Sequence, residues 1–373
     1  MYVLTDQQKL FQKTIKEFAE KELAPKAAHW DEKEEFPLEN IKKAAKQGLL
    51  GLRVPEKYGG QGGSLMDACI AWEEISRVCA NTALAVHVYD ICNSIMLYGT
   101  EEQKRKYVPA LCKGEKIMAI SAVGPEGGSD LASMPIGAKL EGDEYVINTQ
   151  KMWTSLAAVA DVFQLLARTK KGYCLFLIEK TTPGLKVGAI NRFIGNTAIG
   201  NSVVYFKNCR IPKENLIGKE GQGLGIMMGA LVPPSLLLVG MYGVGVARAA
   251  FEAAVEYVKE RKLYGQPMAK LQGVRWKIAE MALEIEAARQ LIFHGVGLYE
   301  KNDPKAAMVG SMTKWYGTEV SVKVAKEAMQ LYGGYGMTKE YPMQRYLRDA
   351  IVLTIGEFPT DYHKSLVADA LLG

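Results

Sequence analysis

An α, then β, then α order is predicted for this 373-residue chain. Three observations carry it. Apolar residues recur at helical spacing near the start and again from about residue 221, short alternating or continuous apolar runs fill residues 117–212, and glycine clusters punctuate the chain. The length exceeds what one hydrophobic core usually holds and fits two or three domains. Boundaries are expected at 1–116 for an N-terminal helical domain, 117–220 for a β domain and 221–373 for a C-terminal helical domain.

The first helix is expected after Thr5, which forms a capping box with Gln8 and is followed by Leu10, Phe11, Ile15 and Phe18 at helical spacing. Helical patterns resume at Pro37, suited to a first helical position, and run to about Lys113. The loop Val54–Gly63 interrupts them, because four glycines in five positions cannot hold a helix. Strands are expected at Glu144–Asn148, Val162–Ala167, Tyr173–Ile178 and Ser202–Phe206. After Gly221-Gln222-Gly223-Leu224-Gly225 the helical period returns, most clearly over Ala247–Tyr257 and Trp276–Phe293.

Hydrophobic residues at 48% and charged residues at 23% exclude a disordered tail, a collagen-like chain and a coiled-coil rod. The net charge of +5 is spread through mixed-sign clusters, the texture of a solvated surface and not of a nucleic-acid stripe. Six cysteines without a C-x-x-C read as reduced cytosolic thiols, the start does not read as a signal peptide, and the apolar run Leu236–Val246 is too short to span a bilayer. No membrane insertion is expected, and a cytoplasmic location is.

Gly243-Val244-Gly245 begins like a dinucleotide fingerprint, but it sits in an Ala-rich helical stretch with no third glycine, so close helix packing is expected there. No phosphate loop, H-E-x-x-H or G-x-S-x-G is present. With only four histidines (His29, His87, His294, His363), each reads as a surface or satisfied core residue, and no multi-histidine metal centre or other metal site is expected.

Several segments in fixed order are informative: Val54-Pro55-Glu56-Lys57-Tyr58-Gly59-Gly60, Gly99-Thr100-Glu101-Glu102-Gln103-Lys104, Gly127-Gly128-Ser129-Asp130, Lys151-Met152-Trp153, Arg261–Met268, Gln330–Gly336 and Arg348-Asp349-Ala350. Together they resemble the acyl-CoA dehydrogenase family over essentially the whole chain. The resemblance implies two helical bundles, the second of four helices, around a β-barrel-like domain, with tightly bound FAD, an acyl-CoA substrate and a homotetramer. Electrons would pass to an electron-transfer flavoprotein. Trp153 would pack against the isoalloxazine, Ser155 would bond near N5, and Ser129 would sit near the pyrophosphate and the CoA entrance. Arg261, Tyr264, Gln272, Gln330, Gly333 and Gly334 match positions that hold the FAD of a neighbouring subunit.

The family's base lies in a segment of the form I-Y-E-G-T, which here reads Ile355-Gly356-Glu357-Phe358-Pro359. Glu357 keeps the acid, and burial is expected to raise its pKa towards that of the proton it removes. Gly356 and Phe358 exchange the usual aromatic and small neighbours, which reshapes the substrate pocket towards a bulky acyl group. Asp90 replaces an apolar residue on the face of Val86 and Leu97. A carboxylate there is costly to bury without a partner or a task, so it is either a second base for 1,4-elimination or the acceptor of a hydrogen bond from elsewhere in the fold. The family's Asp and Arg beside CoA are missing at Leu231–Ser235, and its T-E-P turn is Val123-Gly124-Pro125, which leaves only the backbone of Val123 to meet the flavin. The expected function is dehydrogenation of a bulky, alicyclic acyl-CoA, such as cyclohexanecarboxyl-CoA or cyclohex-1-ene-1-carboxyl-CoA, of the kind met in anaerobic aromatic degradation. Alternatives are a short- or branched-chain acyl-CoA dehydrogenase, an O2-using oxidase of the same fold and a non-catalytic flavin or CoA-binding relative.

Overall fold

The computed structural model describes residues 2–373; Met1, with which the first expected domain begins, lies outside them. The N-terminal layer contains α1 (Asp6–Phe18), α2 (Ala27–Lys33), α3 (Leu38–Lys46), α4 (Leu65–Val78), α5 (Ala80–Val88), α6 (Asn93–Tyr98) and α7 (Glu101–Cys112). The Thr5 box forms as expected: its hydroxyl accepts the Gln8 N–H at 3.2 Å, and the Gln8 side chain accepts the Thr5 N–H at 3.0 Å. Ser64 with Asp67 and Thr100 with Gln103 start α4 and α7 in the same way. Pro37 is the residue before α3 and not its first helical one.

The middle of the chain builds β1 (Met118–Ser121), β2 (Ala138–Glu141), β3 (Glu144–Thr154), β4 (Val162–Thr169), β5 (Gly172–Glu179), β6 (Leu185–Ile190), β7 (Ser202–Pro212) and β8 (Leu216–Ile217). The four expected strands are present, each longer than its apolar kernel. The sequence reading did not single out β1, β2 and β6. β2 and β6 are largely exposed and carry no clear alternation, while β1 is only four residues long. The strands form two four-stranded sheets, ordered β1-β4-β5-β8 and β2-β3-β7-β6, and neither closes into a barrel.

The remainder is helical: α8 (Gly223–Ile226), α9 (Val232–Glu260), the ribbon β9 (Lys262–Leu263) and β10 (Gln266–Pro267), then α10 (Gln272–Glu300), α11 (Ala306–Tyr332), α12 (Met343–Ile355) and α13 (Thr360–Leu372). A π-turn at Met227–Leu231 joins α8 to α9, so the helix from Gly223 to Glu260 is long and apolar enough to cross a bilayer by length and composition, unlike the shorter run read from sequence. It lies inside the fold, packed against α4, α10, α11 and α12. Close packing explains its glycines. A Cβ on Gly243 would lie 2.5 Å from the Gly317 carbonyl oxygen of α11, and one on Gly245 would lie 1.9 Å from Ser76 Oγ of α4. All six cysteines are free and buried.

The loop between β6 and β7 ties the sheets to both helical layers. Asn81 of α5 accepts the Ala198 N–H at 2.9 Å, Asp31 of α2 accepts the Thr197 hydroxyl at 3.0 Å, and Asp349 of α12 accepts the Asn196 N–H at 2.7 Å. A Cβ on Gly195 would come within 2.2 Å of the Arg348 carbonyl oxygen. Asp349 is buried, and burial pushes its carboxyl up to about 7, against the opposing pull of the Asn196 N–H.

This raised carboxyl makes a signed prediction. The folded chain binds a proton at Asp349 that the unfolded chain has released, so this group's contribution is present at low pH and is lost as pH rises from about 4 to about 7. Asp349→Asn keeps the acceptor and removes the titration. Comparing urea midpoints of wild type and variant across that range should show the variant's relative stability rising by up to about 4 kcal/mol; a pH-independent difference would contradict the assignment.

Candidate active site

α12 ends at Ile355, and Pro359 stops it from running into α13. Between them Glu357 and Phe358 both take left-handed backbone angles, φ 51° and 69°. That turn is held from two sides. The buried Lys314 of α11 donates to the Phe358 carbonyl at 2.6 Å and the Thr354 carbonyl at 3.3 Å, and His363 Nε2 of α13 lies 3.0 Å from the Glu357 carbonyl. Burial pushes the Lys314 ammonium down to about 8, against the pull of the carboxylates of Glu357 and Glu319.

The turn aims the Glu357 side chain at α5 and α9. Ser235 donates its hydroxyl to Glu357 Oε1 at 2.5 Å, His87 Nε2 lies 3.1 Å from the same oxygen, and Ser235 Oγ and His87 Nε2 are 2.9 Å apart. The Glu357 side chain is 37% exposed; the desolvation it does suffer would raise its pKa, but the His87 hydrogen bond and charge, the Ser235 hydroxyl and the Lys314 ammonium outweigh it, and the net shift is downward. The expected upward shift is therefore corrected by donors that the local sequence did not reveal.

Asp90 has a partner. Arg53 Nη1, from the loop after α3, donates to its carboxylate at 2.7 Å, and both side chains are largely buried. The continuous α-helix expected to carry Val86, Asp90 and Leu97 is interrupted. α5 stops at Val88, a 3-10 turn spans Tyr89–Cys92, and Val86 is fully buried while Leu97 is 63% exposed. Leu97 is thus exposed on α6, while Asp90 is largely buried against Arg53. Next to Glu357, Gly356 has only the Val352 carbonyl oxygen near its missing Cβ, at 3.6 Å, and the Phe358 ring stacks on Tyr362 at 4.6 Å.

The residues expected at the cofactor fall into two groups. In the β domain, Trp153 has φ 57° beside an irregularity in the β3–β7 pairing and leaves its indole 54% exposed, with Phe193 at 6.1 Å. Val123 lends its carbonyl to the Met152 N–H at 2.8 Å, Ser155 accepts from Asn201 at 3.4 Å, and Ser129 is exposed beyond the Gly124–Gly127 turn. In the C-terminal layer, Arg261 lies 5.6 Å from the Tyr335 ring, Tyr264 stands out on the β9–β10 ribbon, Gln272 opens α10 and Gln330 closes α11. A Cβ on Gly333 or Gly334 would meet nothing. An exposed indole in a left-handed backbone, and a guanidinium, an amide and bare glycine backbone at one surface, fit an aromatic dinucleotide with a pyrophosphate. Among the described residues no group of three His, Cys, Asp or Glu could hold a metal ion.

Sequence reasoning singled out Glu357 and Asp90 but missed what surrounds them: Arg53, His87, Ser235, Lys314 and His363. His87 carried the one local signal, three residues before Asp90 on an otherwise apolar stretch. His363 follows Glu357 by six residues, and Arg53, Ser235 and Lys314 approach from elements distant in sequence.

Three family models match the chain: the N-terminal domain of acyl-CoA dehydrogenases over residues 5–115, the middle domain over 119–209 and the C-terminal domain over 221–372. A short-chain-specific acyl-CoA dehydrogenase of Clostridium acetobutylicum is 38% identical over 372 residues, 98% of each chain. A cyclohex-1-ene-1-carbonyl-CoA dehydrogenase of Syntrophus aciditrophicus is 36% identical over 357 residues, 94% of this chain and 86% of that one. The solved structure of butyryl-CoA dehydrogenase from Megasphaera elsdenii superposes with a TM-score of 0.95 at 31% identity, covering 100% of both chains.

Lys314→Met should strip the donor from two carbonyls of the Glu357 turn. We expect a loss of about 1–3 kcal/mol in urea unfolding, the cost of leaving buried polar groups unpaired. An unchanged midpoint would show that Lys314 does not hold the turn.

Proposed function

The chain belongs to the acyl-CoA dehydrogenase family of FAD-dependent oxidoreductases, and from that premise we propose that it α,β-desaturates a compact, alicyclic acyl-CoA with Glu357 as the base. The observation that carries this reading is the convergence of Ser235 and His87 on one oxygen of a carboxylate presented by a left-handed turn. FAD supplies the hydride acceptor for the thioester β-carbon. Glu357 takes the α-proton, and the downward shift of its pKa keeps it ionised and ready to accept. Trp153, Val123 and Ser155 would line the ring system, with Ser129 towards the CoA entrance. Arg261, Tyr264, Gln272, Gln330, Gly333 and Gly334 would hold the dinucleotide of a neighbouring copy in a homotetramer. An electron-transfer flavoprotein is the proposed acceptor.

Compactness follows from the far side of the site. His87 contacts Glu357 directly, and the Arg53–Asp90 ion pair follows three residues along the chain from His87; a long alkyl chain pressed against these groups would strip their solvation without replacing it. Gly356, without a ring of its own, leaves width beside the carboxylate. The relative from Syntrophus aciditrophicus supports an alicyclic substrate, and the one from Clostridium acetobutylicum supports a second reading, a short-chain substrate. With Arg53 as its donor, Asp90 is proposed to wall the pocket, and Glu357 to be the base for ordinary 1,2-elimination.

Anaerobic titration of the flavin band with butyryl-, octanoyl-, isovaleryl-, cyclohexanecarboxyl- and cyclohex-1-ene-1-carboxyl-CoA tests the substrate. Bleaching by the cyclic thioesters and not by octanoyl-CoA is expected; bleaching by butyryl- or isovaleryl-CoA alone would replace the alicyclic reading with the short-chain one. Glu357→Gln should slow bleaching by at least about 10². Product analysis with the cyclohexene thioester separates 1,2- from 1,4-elimination, and a diene would return Asp90 to the role of base. Hydrogen peroxide formed stoichiometrically under air would favour an oxidase over transfer to a flavoprotein.

A further inference from the structure

The two donors to Glu357 are arranged unequally. Ser235 and His87 both engage Oε1, and among the described residues nothing bonds Oε2. The carboxylate is thus fixed at one oxygen and presented at the other. The opposite edge of the imidazole is informative as well: His87 Nδ1 is buried and has no hydrogen-bond partner. A histidine kept only to satisfy a core would place both ring nitrogens. This ring is aimed with one nitrogen at Glu357 and Ser235, and a purely structural role leaves that aim unexplained.

We propose that His87 and Ser235 are positioning residues for the reaction, fixing Glu357 Oε1 so that Oε2 is the atom that takes the thioester α-proton, and that the charge on His87 sets how available that atom is. The proposal rests on the assignment of Glu357 as the base. The step balances simply. The α C–H bond breaks and its proton goes to Oε2, while the electron pair left on carbon forms the α,β double bond as the β-hydride departs to FAD.

The groups facing His87 fix the direction of its pH dependence. Burial disfavours charge on the ring, but the Glu357 hydrogen bond and carboxylate outweigh it, with Asp90 adding to them and Arg53 opposing, and the ring's pKa is raised. Below that pKa an imidazolium makes a charge-assisted pair with Oε1, which draws electron density from the carboxylate and weakens it as a base. Above it a neutral ring donates Nε2–H, and the buried Nδ1 carries only a lone pair, a cheaper orphan than an N–H. Activity should rise with pH as the ring loses its charge. Lys314 also acts on Glu357 and titrates near 8, so it must be told apart from His87.

Rapid mixing of the FAD-loaded enzyme with the thioester that bleaches it best, from pH 5.5 to 9, separates these roles. Wild type should show an ascending limb in the bleaching rate. His87→Leu, which lacks a donor, should lose about 10²-fold, the scale of a misplaced reacting group, and His87→Gln, which keeps an N–H but not the charge, should recover about tenfold of that and lose the limb. Ser235→Ala should be slower than wild type but keep the limb. The deuterium isotope effect on the α-C–H should grow in His87→Leu, which a merely structural role would not produce; flavin content and unfolding midpoint identify a variant that has failed to fold, and His87→Gln then decides. A limb that persists in His87→Gln belongs to Lys314 and overturns the pH assignment. Wild-type rates in His87→Leu overturn the positioning role while leaving the base intact. Wild-type rates in Glu357→Gln remove the base assignment itself, an outcome that no His87 variant can mimic.

Discussion

The architecture depends on one loop of the β domain that reaches both helical layers. The segment between β6 and β7 gives backbone N–H groups to Asn81 and Asp349, and Thr197 bonds Asp31, so three side chains from two helical layers close on a single turn of the β domain. Arg348 adds a guanidinium that reaches both Asp31 and the Ile194 carbonyl. Other polar bonds join the helices to the sheets, such as Ser94 of α6 to Gln164 of β4 at 2.8 Å, but this loop is where side chains of both helical layers meet, and directional bonds fix orientation where apolar contact does not. The angle between layers matters because Glu357 follows α12 directly, while the groups it meets stand on α5 and α9.

Below that scaffold the site is assembled from remote parts. Glu357 and His87 are 270 residues apart, and Arg53 and Asp90 are 37 apart. The order of layers, the Thr5 cap and the four principal strands were legible in the sequence because each rests on local spacing. Glu357 and Asp90 were legible as acids in telling places. Their partners were not, since no period or motif links a loop arginine to a carboxylate on another element. The pKa direction of Glu357 failed for the same reason: burial is a local inference, but the donors that outweigh it arrive from α5, α9 and α11. Asp90 shows the reverse error. A continuous α-helix was assumed over residues 86–97, and a 3-10 turn interrupts it.

The two groups of residues expected at the cofactor divide along the same line. Trp153, Val123, Ser155 and Ser129 belong to the sheets, while Arg261, Tyr264, Gln272, Gln330, Gly333 and Gly334 belong to the last helical layer and its ribbon. Chemical type could be read residue by residue, since a guanidinium suits phosphate and bare backbone suits close approach. Grouping could not, because it depends on how β9 and β10 fold back beside α11.

The left-handed turn at Glu357 and Phe358 carries a cost that the fold bears for the sake of the site. Residues with a Cβ are disfavoured in that conformation by about 1–2 kcal/mol each, and here two stand in succession. A glycine at 358 would relax the backbone and leave the acid in place, whereas one at 357 would remove the acid, so only at 357 do stability and chemistry pull apart. Selection for thermal robustness alone would favour exchanging the residue at 357 for glycine, so the strain and the acid are kept or lost together.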